Sequence, residues 1–311
     1  MAAYILRRCF YVVPIVLGVT LLTFVLFHIF GGNPTYHLLG RQATLEDVRI
    51  LEHQLGLDRP FWQQYFYYLY QIITCDFGRS LTTNEPVSAM IARGIGPTLS
   101  LTLPALVLST GISVALSLFV AIMRGKAVDR IIVVAAVLGM SISFLAYIIL
   151  GQYFLSFKAG IFPIHDYEGG ILVRWQYLAL PILTQVVVSL GYDVRFFRSV
   201  MIEEVHKDYI RTAFAKGLSR RRVLSKHLLK NAMIPIITRV MVALPFLLTG
   251  SLLLEKFFGI PGMGSMLVDA FANSDIIVIK AYTVYLSLLY LLGNVLTDIL
   301  YSLVDPSIRF E

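Results

Sequence analysis

Six long apolar runs, separated by shorter charged segments, constrain this chain more than any other feature. They lie at roughly Phe10–Phe30, Pro97–Met123, Ile131–Phe157, Tyr177–Phe197, Met233–Leu254 and Ala281–Val304. Each can supply the roughly 20 residues that cross a bilayer core. Backbone polar groups in lipid must bond within their own segment, so all six predict helices. Composition agrees: 57 % of the chain is hydrophobic and only 14 % charged, with a mean hydropathy of +0.75. A soluble domain carries about a quarter charged residues, enough to solvate its surface. The expected fold is an all-α membrane protein with six transmembrane helices. The first run is longer than a secretory signal core and ends in Gly31-Gly32-Asn33-Pro34, so it reads as an uncleaved span.

Charge gives the orientation. The net charge is +7, and its basic residues cluster on one side of the alternating topology. Arg7, Arg8, Arg124, Lys126, Arg130 and Arg309 fall there. So do ten Lys or Arg between Arg195 and Lys230. The excess of basic residues in short loops places both termini in the cytoplasm. The same clustering argues for a membrane and against nucleic acid as partner. Cys9 and Cys75 then lie on opposite sides, which excludes a bridge between them.

The chain divides into residues 1–30 (N-terminus and first span), an external segment 31–96, and a five-helix core 97–311. The external segment carries helical signals of its own. Thr44-Leu45-Glu46-Asp47 has the character of a capping box, with a stop at Gly56 before Pro60. Phe61, Trp62, Tyr65, Phe66, Tyr67, Tyr68 and Tyr70 then predict an aromatic-rich helix at the membrane interface. Stacking against substrate is the other reading of that cluster.

The most informative stretch is 203–235, which reads as two short helices. Val205, Tyr209, Thr212 and Ala213 share one face of the first by their spacing. Gly217 is placed to end it, because glycine tolerates a left-handed backbone. Ser219 is placed to cap the second, which aligns Val223, Leu224, His227, Leu228 and Asn231. Pro235 reads as part of the first turn of the fifth span. Such a hairpin suits docking into a soluble partner. A basic loop resting on anionic lipid has the same pattern.

Family resemblance separates these readings. The stretch resembles the EAA loop of ATP-binding-cassette (ABC) importer permeases. Tyr209-Ile210-Arg211-Thr212-Ala213 with Ala215-Lys216-Gly217-Leu218 is similar to the bacterial peptide/nickel branch. That branch commonly has a basic residue where this chain has Phe214. Leu55-Gly56-Leu57-Asp58-Arg59-Pro60, Asp76-Phe77-Gly78-Arg79-Ser80 and Phe258-Gly259-Ile260-Pro261-Gly262-Met263-Gly264 extend the likeness. Asn294, Asp298, Asp305-Pro306 and Arg309 continue it to the C-terminus. The pattern resembles the B-type dipeptide/oligopeptide permease subunit, with its long external segment.

The resemblance implies a type I importer permease in the bacterial inner membrane. Its implied partners are a second homologous permease, one or two kinds of ABC ATPase, an extracytoplasmic binding protein and membrane lipid. ATP and Mg would belong to the ATPase subunits, with no cofactor on this chain. Tyr209, Arg211, Ala213, Lys216, Gly217, Val223, Leu224, Leu228 and Pro235 would form the ATPase-coupling loop, with the Val223/Leu224/Leu228 face in the ATPase groove. Gly259, Pro261, Gly262 and Gly264 would form an external turn or gate, with unusual backbone angles supplied by glycine.

Other polar residues have plainer readings. Asp298 suggests a pair near the cytoplasmic interface, and Arg239 is placed to snorkel. Asp193 and Arg195 fall at the cytoplasmic mouth, and Gln152 and Gln185 are candidates for a pathway. His53, His165, His206 and His227 form no paired metal spacing, and no phosphate-binding loop occurs in the sequence. A nickel permease remains the alternative within the family. Outside it stands an ATPase-independent secondary transporter, for which repeats and broken helices would be expected. A membrane-embedded enzyme would need convergent catalytic groups, which the sequence does not suggest.

Overall fold

The computed structural model describes residues 2–30, 35, 44–123, 125–164, 167 and 171–304. Among them every regular element is a helix, with one isolated bridge between Arg79 and Pro86. In chain order these are α1 (Ala2–Phe30), α2 (Leu45–Leu55), α3 (Phe61–Ile73), α4 (Val87–Ile122), α5 (Ala127–Ser141) and α6 (Phe144–Lys158). After them come α7 (Ile171–Val205), α8 (Asp208–Ala215), α9 (Arg220–Leu247), α10 (Leu252–Phe257), α11 (Met263–Ala272) and α12 (Ile276–Val304). Five of these, α1, α4, α7, α9 and α12, contain stretches long and apolar enough to cross a membrane. The bent pair α5–α6 makes a sixth span if taken as one. Large apolar side chains such as Val107, Ile131, Trp175 and Leu292 stand exposed on the helices, as lipid-facing surfaces require.

Several boundaries differ from the sequence reading. The second span does not start at Pro97. Its helix begins at Val87 after Pro86, and both Pro97 and Pro104 lie inside it. The third apolar run is not one straight helix, because α5 and α6 meet at 95°. Ile142 is extended at the break, and Ser143 caps α6 by accepting from the Ala146 N–H at 3.2 Å. The Tyr147 hydroxyl donates to the Gly139 carbonyl at 2.9 Å, so a carbonyl near the break is satisfied across it. A broken helix, which the secondary-transporter alternative would more often show and which is not evident in the sequence, is therefore present. The fifth run is also interrupted. Its helix tightens into a 3₁₀ turn over Leu244–Leu248 and stops before α10.

Packing ties the elements into one body. Helices α4 and α7 lie along each other, α1 packs on α12, and α5 packs on α7. The aromatic helix α3 is two-faced. Tyr65, Tyr68 and Ile72 bury against Phe24 of α1 and Val284 of α12, while Trp62, Phe66 and Tyr70 remain exposed. Cys75 is exposed and free. The side chains of Cys9 and Asp298, and all of Asp305, Pro306 and Arg309, lie outside the described residues.

Candidate functional site

The loop 203–235 folds as two helices around a glycine turn. Helix α8 ends at Ala215, and Gly217 takes φ +75°. The Leu218 N–H reaches the Ala213 carbonyl at 3.3 Å, and the Gly217 N–H reaches Phe214 at 2.9 Å. This pair of bonds satisfies carbonyls that a helix end would leave open. Ser219 stands at the start of α9, but its hydroxyl makes no capping bond. The loop is braced by Glu204, which is buried and accepts from Lys207 at 2.5 Å and from the Tyr209 hydroxyl. Burial, and then the bond to Glu204, push the Tyr209 phenol up to about 12.

The apolar face of the second helix does not point outward. Val223, Leu224 and Leu228 are buried with Ile210, Ala213, Phe197, Met201 and Ala121 in the chain's own core. The proposed groove-filling face is thus already covered. Three large apolar side chains at one end of a hairpin bury against the nearest spans before any partner arrives. The first helix buries Ile210 and Ala213 rather than Thr212, which is exposed. What the loop presents instead is Arg211, Phe214, Lys216 and Gly217, all exposed, with Tyr209 half-buried. Pro235 sits in the interior of α9, not in its first turn. It lacks the N–H that would bond the Asn231 carbonyl, and Asn231 is at an exposed position.

The glycine-rich turn at 259–264 is organised by a residue that sequence reasoning missed. Glu255 is fully buried at the start of this turn. Its carboxylate accepts from the Thr98 hydroxyl at 2.9 Å, the Gly264 N–H at 2.6 Å, and the Ser265 and Ser251 N–H groups at 3.1 Å each. Thr98, on α4, also accepts from the Met263 N–H at 2.8 Å. One carboxylate and one hydroxyl thereby clamp the turn to α4. Gly259 does use a left-handed backbone, with φ +65°. Gly262 and Gly264 do not, because their role is space. A Cβ on Gly262 would lie 2.4 Å from the Glu255 carboxylate and 2.6 Å from Thr98 Oγ1. A Cβ on Gly264 would lie 2.8 Å from the Leu252 backbone nitrogen. Pro261 is exposed beside them. The signal in sequence was a lone acid at the end of an apolar run, followed by three close glycines.

The spans also enclose a cavity of about 470 Å³. Helices α4, α7 and α9 line it with Thr102, Ser109, Gln185, Ser189, Tyr192, Asp193 and Arg239, and Phe144 and Leu254 are among its apolar walls. Arg239 does not simply snorkel. Its guanidinium pairs with Asp193 at 3.5 Å and lies 6.0 Å from the Phe196 ring centroid. Gln185 lines this cavity. Gln152 does not, since its amide donates to the Phe257 carbonyl at 2.9 Å.

Two further ion and hydrogen-bond clusters hold the ends. Arg198 grips Asp129 with two bonds of 2.8 and 3.1 Å, joining α5 to α7. Asp275, just before α12, accepts from Ser80 at 2.6 Å and the Thr82 hydroxyl at 2.9 Å. Burial pushes the Asp275 carboxyl up, but Ser80 and the Val278, Leu81 and Thr82 donors outweigh it and hold it below the usual range. Residues 76–86 are thereby fixed to the last span.

This geometry coincides with a family. The binding-protein-dependent transport system inner membrane component matches residues 113–310, and the N-terminal membrane component of the same systems matches residues 1–102. The chain belongs to this permease family. The glutathione transport system permease protein GsiC of Salmonella choleraesuis (strain SC-B67) is 34 % identical over 311 residues, covering 100 % of both chains. GsiC of Escherichia coli (strain K12) is 33 % identical over the same length and coverage. The protein is thus an ABC-importer permease subunit of the type I fold, a multi-pass component of the inner membrane. Permeases of this family work with ATPase, binding-protein and second-permease partners.

Proposed function

We propose that this permease, paired with a second homologous permease, forms a pathway for di- and oligopeptides delivered by an extracytoplasmic binding protein. The observation that carries this reading is the cavity of about 470 Å³ with both charges in its wall. That volume lies in the roughly 300–1,000 Å³ range of small-molecule sites. Asp193 and Arg239 offer counter-charges to the ammonium and carboxylate of a peptide, while Gln185, Ser189 and Thr102 offer neutral hydrogen-bonding groups. Glutathione, for which the relatives are named, is a tripeptide and belongs to the same chemical class.

In this reading the termini and the loop 203–235 face the cytoplasm, and residues 31–96 lie outside. ATP and Mg are held by one or two kinds of ATPase subunit. Closure of the ATPases reaches the spans through the outward face of the loop, with Arg211, Phe214 and Lys216 at the contact. ATP then shifts the transporter between inward- and outward-open states because the ATPases bind it more tightly in one of them.

The test is uptake into proteoliposomes holding the permease pair, the ATPases and the binding protein. Labelled dipeptide, glutathione and nickel are supplied separately. ATP-dependent peptide uptake is expected, and Arg239→Gln should lower it roughly tenfold, as loss of a charged contact implies. Nickel uptake without peptide uptake would establish the nickel alternative. Uptake without ATP would return the secondary-transporter reading.

A further inference from the structure

Lys280 lies one turn into the apolar helix α12. A charge so placed must reach water, find a partner or serve a ligand. It is half-buried, with its ammonium 3.9 Å from the Tyr68 ring centroid and 5.0 Å from that of Phe24. Two aromatic faces thus hold the cation in position. Among the described residues no carboxylate pairs with it, nor with Arg59 across the same pocket. Asp58, next to Arg59 in the chain, pairs with His53 at 2.7 Å instead.

The pocket itself has a volume of about 210 Å³ and is lined by Arg59, Gln64, Tyr67, Tyr68, Gln71 and Lys280, with Phe24 and Leu57 as apolar walls. Its rim is fixed. The Gln64 amide donates to the Leu57 and Arg59 carbonyls at 2.8 Å each, which pins the Gly56–Arg59 turn over α3. The Tyr68 hydroxyl is a second, independent observation that points to a ligand. Tyr68 is 5 % exposed, and its hydroxyl has no hydrogen-bond partner among the described residues. Buried hydroxyls are almost always bonded, so an orphan hydroxyl beside an ammonium with no carboxylate partner among the described residues suits a ligand with acceptor oxygens.

We propose that this pocket binds a phosphate-class anion, supplied either by the headgroup of an anionic phospholipid or by free phosphate. Two cations, a phenol and the Gln71 amide approach from different elements, which suits a ligand with several acceptor oxygens. The exposed Trp62, Phe66 and Tyr70 of α3 form the aromatic surface typical of headgroup depth, next to this pocket. The pocket is formed by α1, the external segment and α12, away from the transport cavity, and its assignment does not depend on the cargo.

The test uses the assembled transporter, purified in detergent and stripped of lipid. Binding is read as a shift in thermal unfolding during titration with phosphatidylglycerol, phosphatidylcholine or inorganic phosphate. Phosphatidylglycerol should bind better than phosphatidylcholine, with affinity falling roughly tenfold in Lys280→Gln and less in Tyr68→Phe. Saturation by inorganic phosphate alone, weakened in the same variants, would identify free phosphate as the source. Arg59 is exposed, so Arg59→Gln keeps the test intact if Lys280→Gln does not accumulate. Unchanged affinity for phosphatidylglycerol and phosphate in Arg59→Gln and Tyr68→Phe would overturn the site.

Discussion

Two turns in this permease are built on the same local device and differ in everything that surrounds it. At 213–218 and at 255–260 a helix ends with a left-handed glycine, Gly217 or Gly259, followed by an apolar residue. In both, the residue after the glycine bonds back to the helix: Leu218 to Ala213 at 3.3 Å and Ile260 to Glu255 at 2.8 Å. Beyond that point they diverge. A Cβ on Gly217 would meet nothing within 4 Å, whereas one on Gly262 would strike Glu255 and Thr98. The first turn is constrained by its backbone alone. The second is constrained by a buried carboxylate that needs its neighbours to have no side chain. An open turn leaves room for a partner; a filled one fixes a surface that is already formed.

The largest effect should come from Gly262→Val. Overpacking costs about 1–3 kcal/mol. Displacing Glu255 from even one buried donor adds about 1–3 kcal/mol. A loss near 4 kcal/mol is expected, seen as poor accumulation and a lowered thermal unfolding midpoint in detergent. If Gly262→Val unfolds like wild type, the clamp does not exist.

Leu228→Ala comes next, at about 3 kcal/mol, within the range for a buried leucine. It tests whether the loop's apolar face belongs to the core or to the ATPase. The structure buries Leu228 completely, with Phe197 and Met201. Loss of stability in the isolated permease is therefore expected before any ATPase is added. A variant as stable as wild type that no longer binds the ATPase would restore the groove-filling reading.

These differences show which properties could be read from the chain. The apolar runs gave the spans because bilayer thickness sets a length that composition records. Gly217 was legible because a helix stop is a local event, decided within a few residues. The inward direction of Val223, Leu224 and Leu228 was not legible, since an amphipathic face has the same spacing whether it meets a partner or its own spans. Glu255 was hidden for a related reason. Its donors come from Thr98, Ser251, Gly264 and Ser265, and the link to Thr98 crosses more than 150 residues of chain. The 95° break in the third run escaped because Ser141, Ile142 and Ser143 carry no Pro or Gly to announce it. The setting of Lys280 was hidden too, because Tyr68, over 200 positions earlier, supplies the ring beneath it.

The smallest effect on stability, and the largest separation of stability from function, is expected at Gly217. Gly217→Ala forces an alanine into φ +75°. A left-handed backbone costs an L-residue roughly 1–2 kcal/mol, and open space around the position adds no clash. The isolated permease should therefore insert normally and unfold only slightly earlier. Gly217→Pro goes further. Its ring is locked near φ −65° and it cannot donate to the Phe214 carbonyl, a bond of 2.9 Å in the structure. The chain must then leave α8 in another direction, which re-aims α9 relative to Arg211, Phe214 and Lys216. The spans bond their own backbones and should still insert. In proteoliposomes at matched subunit content, Gly217→Ala should retain most substrate-stimulated ATP hydrolysis, while Gly217→Pro should abolish both hydrolysis stimulation and uptake. Wild-type coupling in Gly217→Pro would show that the open turn is not the link to the ATPase, and the lipid-surface reading of the loop would take its place.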